Sequence, residues 1–265
     1  MKKILFIILI VIVAVLAWVY KNRGPELIKV DLPPTQGYQE FVVKPDEEAT
    51  STTKEVLVEE EAPEPVPAPE PVPVVVKTSI NLAVPFISQA PSKNWDQPFQ
   101  DACEEASILM LSYYYQDINL PSIEEQEEIL SGMVKWQEDN WGGHNNLPST
   151  KVVDLTLATF NYRAELIEDL TADKIRDYLN KGLPVIIPAD GHKLANPYFK
   201  NDGPDYHMLV VKGYVDDKFI TNDPGTQYGA DFVYSEENLM YSIHDWDTKK
   251  DQAVGPKVGL VLYID

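Results

Sequence analysis

Hydrophobic and polar positions divide this chain into three parts. Residues 4–20 are uninterrupted apolar or aromatic residues, residues 24–77 have no sustained helical or strand period, and periodic patterns resume near Thr78. From Ala102 onward, apolar residues recur at the three- and four-residue spacing of a helix, which predicts a helix packed on a core. Three further helices are predicted: one from the capping box Ser122 to Glu125 towards Met133, one over about 150–160, and one capped by Thr171 that stops near Gly182.

The period changes in the second half of the chain, where short apolar runs replace the helical spacing. Strands are predicted at 184–188, 207–214, 218–221 and 259–264, and residues 215–218 predict a hairpin connection. One earlier strand is predicted at 80–84. Helices that come first and an antiparallel sheet that follows favour an α+β fold, with the N-terminal helices packed on the sheet.

The apolar run at the N-terminus predicts a membrane anchor over residues 1–23. Its 17 residues would extend ~26 Å as a helix, just enough to cross a bilayer, with Trp18 and Tyr20 at the interface. The alternative is a cleaved signal peptide, which the bulky residues after Ala17 suit badly. Basic residues flank the run on both sides, so charge alone does not orient it.

Residues 24–77 predict a disordered, acidic and proline-rich linker. Prolines at every second position from Pro63 to Pro73 favour extended polyproline II, so the tract is interpreted as a semi-rigid spacer. A docking tract for a proline-binding module is the alternative. The remaining residues, 78–265, are the predicted catalytic domain. Because an acidic stalk is typical of an extracytoplasmic position, we expect a single-pass protein of the cell membrane with this domain outside.

Charge and composition narrow the range of partners. The net charge of −20 at pH 7 is spread over linker and domain, so nucleic acid is not an expected partner. No two of the four histidines have zinc-ligand spacing and there is only one cysteine, so neither a metal nor a cofactor is predicted. We expect a monomer that acts on a peptide or protein.

The single cysteine, Cys103, is the candidate nucleophile. It follows a proline-bearing loop and precedes the predicted helix, where backbone N–H groups and the helix dipole favour a thiolate. The adjacent Glu104 and Glu105 would repel that thiolate. The alternative is a small buried apolar residue, which is the common fate of a free cysteine.

His207 and Asp223 are the candidate base and its orienting group. His207 begins one predicted strand, and Asp223 follows the next strand in the hairpin, so the carboxylate can return to the imidazole. The order Cys, His, Asp is typical of a covalent cysteine hydrolase. A structural histidine and an ordinary turn aspartate are the alternatives for these two positions.

Five ordered segments carry a resemblance to a known family. They are 84–91 (VPFISQAP), 95–98 (WDQP), 102–106 (ACEEA), 207–214 (HMLVVKGY) and 222–225 (NDPG). Together they resemble the bacteriocin-processing-peptidase-like family, the thirty-ninth family of cysteine peptidases, in its stand-alone branch. The resemblance implies a papain-like fold with Cys103 as nucleophile, His207 as base, Asp223 as orienter and Gln89 as oxyanion donor. The leader-peptide substrate of the classical members, which are fused to an exporter, is not carried over, because this chain has no nucleotide-binding motif.

The resulting expectation is a membrane-anchored cysteine peptidase that forms an acyl-enzyme on Cys103. Two alternatives stay open. The same thiol could transfer its acyl group to an amine or act on an amide outside a peptide bond, or the domain could be a non-catalytic extracytoplasmic binding module. The sequence does not specify the substrate or the bond that is cleaved.

Overall fold

The computed structural model describes residues 27–42 and 78–264, which form an α+β fold, as the sequence pattern predicts. Six helices and nine strands lie in the described residues. The helices are α1 (Cys103–Gln116), α2 (Ile123–Trp141), α3 (Ser149–Phe160), α4 (Ala172–Leu179), α5 (Gly191–Leu194) and α6 (Glu236–Ser242). The strands are β1 (Ser79–Asn81), β2 (Arg163–Ile167), β3 (Val185–Ala189), β4 (His207–Val215), β5 (Lys218–Asn222), β6 (Phe232–Ser235), β7 (Trp246–Asp247), β8 (Gln252–Ala253) and β9 (Gly259–Tyr263).

Seven of the strands form one antiparallel sheet in the order β2-β9-β3-β4-β5-β6, and β1 also pairs with β4. Strand β4 is the longest and pairs with three others. Its first half pairs with β3, its last three residues pair with β1, and its other edge pairs with β5. The predicted site residue His207 is therefore the first residue of the best-supported strand, where neighbouring strands fix its backbone.

Helix α1 packs against β4 and lies in the core. Nearly all of its residues are buried, including Leu109 and Met110, which are fully inaccessible. The sequence pattern predicts one buried face. The structure buries the helix on all sides because β4, α2 and α3 all contact it. Cys103 begins this helix, so its backbone is held by the same core.

Most of the predicted elements are confirmed, with differences at their ends. Helix α2 begins at the predicted Ser122 cap, where the Ser122 hydroxyl accepts from the Glu125 N–H and the Glu125 carboxylate accepts from the Ser122 N–H. The helix runs past Met133 to Trp141, and Gly142 follows it in the left-handed conformation. Strand β1 is shorter than the predicted 80–84. Its paired residues are Ser79–Asn81, and one further backbone hydrogen bond to β4 runs from the Leu82 N–H to the Lys212 carbonyl at 2.8 Å. The sequence pattern does not predict β2, β6, α5, α6 or the hairpin of β7 and β8.

Residues 27–42 do not follow the prediction of a disordered linker over 24–77. The Gln36 N–H donates to the Asn81 carbonyl at 2.8 Å, and the Gln36 carbonyl accepts from the Ala83 N–H at 2.8 Å. The Tyr38 ring lies edge-on to Tyr114 and Tyr115, with centroids 5.7 and 4.8 Å away. This part of the chain packs on the domain because its aromatic residue completes an apolar cluster that local sequence does not reveal.

The predicted anchor at 4–20 and the proline tract at 63–73 lie outside the described residues. Among the residues that are described, no helix is long and apolar enough to cross a membrane.

Candidate active site

Cys103 is the first residue of α1, and the turn before it is held by Gln89. The Gln89 side-chain N–H groups donate to the carbonyls of Phe99 and Gln100, at 3.1 and 2.7 Å. Phe99 and Gln100 belong to the short 3₁₀ turn Phe99–Asp101 that leads into the helix. N–H groups in the first turn of a helix have no partner within the helix, so the chain at Cys103 presents donors to a nearby anion.

Two groups make hydrogen bonds to the Cys103 thiol. The backbone N–H of Met208 donates to Sγ at 3.3 Å, and the thiol donates to Oε2 of Glu104 at 3.0 Å. Because Met208 directly follows His207, the Cys103 thiol lies beside the start of β4. Burial and the Glu104 carboxylate raise the pKa of Cys103 well above its ordinary value, and the Met208 N–H opposes this shift.

His207 and Asp223 form a buried pair. Nε2 of His207 lies 2.7 Å from Oδ1 of Asp223. A carboxylate only accepts hydrogen bonds, so Nε2 is the donor and Nδ1 is the unprotonated nitrogen of the neutral ring. The pair therefore leaves His207 in the tautomer that can take a proton at Nδ1.

The other contacts of Asp223 keep it ionised. Its Oδ2 accepts from the Tyr234 hydroxyl at 2.7 Å and from the Asn196 amide at 3.0 Å, while Oδ1 also accepts from the Gly225 N–H at 3.0 Å. Burial alone would raise the pKa of Asp223. The His207 ring and the hydrogen bonds from Tyr234 and Asn196 outweigh burial, and the pKa is lowered.

The His207 ring is confined by close packing. Phe199 meets it edge-on, with ring centroids 5.3 Å apart. A Cβ placed on Gly225 would lie 2.8 Å from His207 Cε1 and 2.9 Å from Phe199 Cε1. Gly225 is thus the residue that lets the loop after β5 pass beside the imidazole.

Cys103 and His207 open into one cavity of about 450 Å³. Aromatic side chains supply much of its wall, and its polar groups include carboxylates and one ammonium group. The lining includes Trp95, Asp101, Tyr198, Phe199, Lys200, Tyr206 and Tyr228. A cleft with both aromatic and polar walls beside a thiol is suited to a small ligand or a peptide segment.

The structure brings three of the four predicted site residues together. One site contains Cys103, His207 and Asp223. The His207 ring bonds Asp223, and the N–H of the residue after His207 bonds the Cys103 thiol. Gln89 also lines the cavity, but its geometry does not support the predicted oxyanion role, because both hydrogens of its amide are bonded to the carbonyls of Phe99 and Gln100. Its position fits support of the turn that carries the thiol.

Sequence reasoning missed two residues that hold Asp223. Tyr234 lies on β6, and Asn196 lies just after α5, so both come from elements that were not predicted. No local pattern points to either residue. Tyr234 could have been found only by predicting that β6 pairs with β5.

Comparison with known proteins identifies the family. The Peptidase_C39-like family model matches residues 81–254, which is most of the described domain. The chain belongs to this family of peptidases, in agreement with the resemblance found in the sequence. The search of curated proteins gave no significant match.

Solved structures of the same group are similar to this chain at low sequence identity. A putative C39-like peptidase from Bacillus anthracis is 16% identical with a TM-score of 0.47, and the match covers 71% of this chain and 99% of that one. A double-glycine-motif protease from an AMS/PCAT transporter, solved with its leader peptide, is 17% identical with a TM-score of 0.37 and coverages of 69% and 92%. The peptidase domain of Streptococcus ComA is 13% identical with a TM-score of 0.34 and coverages of 63% and 93%.

Proposed function

We propose that this protein is a cysteine peptidase in which Cys103, His207 and Asp223 act together. The observation that carries the proposal is the buried His207–Asp223 hydrogen bond of 2.7 Å beside the thiol. This bond leaves Nδ1 of His207 as the proton acceptor, which is the requirement for activating a neighbouring thiol. Membership of a peptidase family supports the choice of a peptide bond as the target.

The proposed reaction begins with transfer of the Cys103 proton to Nδ1 of His207. The thiolate then attacks the scissile carbonyl, and N–H groups at the start of α1 stabilise the oxyanion. The His207 imidazolium next protonates the leaving amine, which leaves an acyl-enzyme on Sγ. Water, deprotonated by His207, then hydrolyses the thioester and restores the thiol.

We further propose that the peptidase is attached to the cell membrane by residues 4–20, with the domain outside the cytoplasm. The support is the length of the apolar run and its flanking basic residues. Protease accessibility of an epitope at the C-terminus in intact cells tests the orientation, because only an outward domain is digested without lysis.

The peptidase proposal is tested with a library of synthetic peptides and full-length protein in detergent. New N-termini, detected by mass spectrometry, should appear with the wild type and be absent with Cys103→Ala. Undiminished cleavage by Cys103→Ala would overturn the proposal. Addition of glycinamide separates hydrolysis from acyl transfer, since amide-capped products would assign the site to acyl transfer instead.

A further inference from the structure

The carboxylate of Glu104 competes with His207 for the proton of the nucleophile. A thiol has one hydrogen, and that hydrogen is donated to Oε2 of Glu104 at 3.0 Å. None is then left for Nδ1 of His207. The Met208 N–H also donates to Sγ, at 3.3 Å, and restrains the position of the sulfur.

Glu104 is itself fixed by the protein. Its side chain is 1% exposed, and its second oxygen accepts the backbone N–H of Leu147 at 3.0 Å. The carbonyl of Leu147 in turn accepts from the Tyr206 hydroxyl at 2.9 Å. A buried carboxylate with one oxygen on a backbone N–H and the other on a thiol is directed at the thiol by its surroundings, since rotation would break both bonds.

We propose that Glu104 is a positioning residue that holds the resting nucleophile as a neutral thiol turned away from His207. This inference rests on the proposed peptidase function. Activation then requires Sγ to leave Oε2 and face Nδ1 of His207, where the S–H bond breaks and an Nδ1–H bond forms. The products are a thiolate and an imidazolium, and Glu104 ends the step unchanged.

The charges around Glu104 favour this resting state. After burial, the Glu104 carboxylate has the largest effect on the thiol, and Glu105 on the same helix adds negative charge only when it is ionised. Asp101 in the preceding turn acts on Glu105, and His207 on β4 is the opposing group once protonated. The Tyr206 hydroxyl, from the residue before β4, also faces the pair and lies 3.1 Å from Asp245. Burial raises the pKa of Glu104, and the hydrogen bond from the Cys103 thiol opposes this shift.

The variant that tests the inference is Glu104→Gln. The introduced amide keeps an oxygen for the Leu147 N–H and nearly the same volume, but it removes the negative charge beside Sγ. The matched control is Glu105→Gln, which removes a buried carboxylate one residue later that contacts Gln137 rather than the thiol. Thermal unfolding of each full-length variant in detergent establishes whether the fold is retained.

The readout is the rate at which iodoacetamide alkylates Cys103, from about pH 5 to 9. Glu104→Gln should react at least about tenfold faster than wild type near neutral pH, with a profile displaced to lower pH, while Glu105→Gln should stay within about threefold of wild type. An unchanged or slower rate in a folded Glu104→Gln protein overturns the inference.

Two further measurements distinguish a failure of the Glu104 role from a failure of the peptidase proposal, and the second needs no variant that could misfold. The rates are repeated in a His207→Ala background. If His207→Ala leaves the Cys103 alkylation rate unchanged, the peptidase proposal is overturned. If His207→Ala lowers the rate but Glu104→Gln has no effect on it, only the role of Glu104 is overturned. In wild type alone, an infrared S–H stretch that disappears on alkylation supports the resting thiol, and absence of that band at neutral pH contradicts it.

Discussion

Nε2 of His207 lies 2.7 Å from Oδ1 of Asp223, and the two side chains are only 2% and 0% exposed. The bond selects the imidazole tautomer, because the carboxylate can only accept. Asp223 in turn is locked by Tyr234 and Asn196, which occupy its other oxygen. The orientation of the His207 ring is therefore fixed by Asp223, which Tyr234 on β6 and Asn196 after α5 hold in place.

Replacement of Asp223 by Asn tests this orientation. The introduced amide can donate to Nε2 and so favour the tautomer with the proton on Nδ1, which cannot accept a proton from Cys103. We expect kcat/KM for peptide cleavage to fall by about 10²- to 10⁴-fold while the fold is kept. The measurement is cleavage of a peptide identified with the library. A loss of less than about threefold would show that Asp223 does not orient the base.

Gly225 is expected to be intolerant of a side chain. A Cβ at this position would lie 2.8 Å from His207 Cε1, so Gly225→Ala should displace the imidazole. We predict that Gly225→Ala lowers the Cys103 alkylation rate to that of His207→Ala. The variant should also have a free energy of unfolding about 1–3 kcal/mol lower than wild type. Gly132→Ala is the matched control, because its added Cβ meets nothing within 4 Å and lies in α2. Equal alkylation rates in both variants would refute the packing argument.

Gln89→Ala distinguishes a structural role from an oxyanion role. Both N–H groups of the Gln89 amide donate to the carbonyls of Phe99 and Gln100. The variant should therefore lose about 1–3 kcal/mol of unfolding free energy and show an altered rate of Cys103 alkylation. An oxyanion donor would behave differently, because its loss lowers kcat without affecting alkylation or stability. Urea unfolding together with alkylation kinetics decides between these outcomes.

The burial of Glu105 should make the free energy of unfolding depend on pH. Burial raises the pKa of Glu105 to about 8, with a further contribution from Glu104. The folded protein thus binds this proton more tightly than the unfolded chain, in which Glu ionises near ~4.3. The stability linked to the group is full below ~4.3 and is lost as the pH rises through about 8.

Glu105→Gln should remove this contribution. The wild-type free energy of unfolding should fall relative to that of the variant by about 1–3 kcal/mol between about pH 5 and 8. Urea unfolding at three pH values measures the difference. Within the described residues, Oε2 of Glu105 and Oε1 of Gln137 have no hydrogen-bond partner, which suits a neutral carboxyl group here. Parallel pH curves for the two proteins would contradict the assignment.

Local sequence was sufficient where the site depends on short-range structure. The start of α1 at Cys103 follows from the apolar spacing after Ala102, and the meeting of His207 with Asp223 follows from a hairpin whose turn is short. Both features involve elements that are adjacent along the chain, so periodicity and turn chemistry predict them.

The remaining features depend on contacts between distant parts of the chain. Tyr234 and Asn196 reach Asp223 only after β6 and the segment beyond α5 have packed beside β5. The contact between Glu104 and the thiol depends on the side-chain orientation that Leu147 fixes, and Leu147 lies 43 residues further along the chain. Hydrophobic spacing carries no information on such pairings, which is why the sequence analysis recognised Glu104 only as a nearby charge.

The pairing of the Cys103 thiol with the His207 imidazole is tested by the pH dependence of Cys103 alkylation in full-length wild type and His207→Ala. Near pH 6.5 we expect the wild-type thiol to react at least about tenfold faster than the thiol of the variant, because only the wild type can form a thiolate–imidazolium pair. Equal rates in both proteins, rising only near the ~8.5 of an ordinary thiol, would contradict it and favour a domain that binds without catalysis.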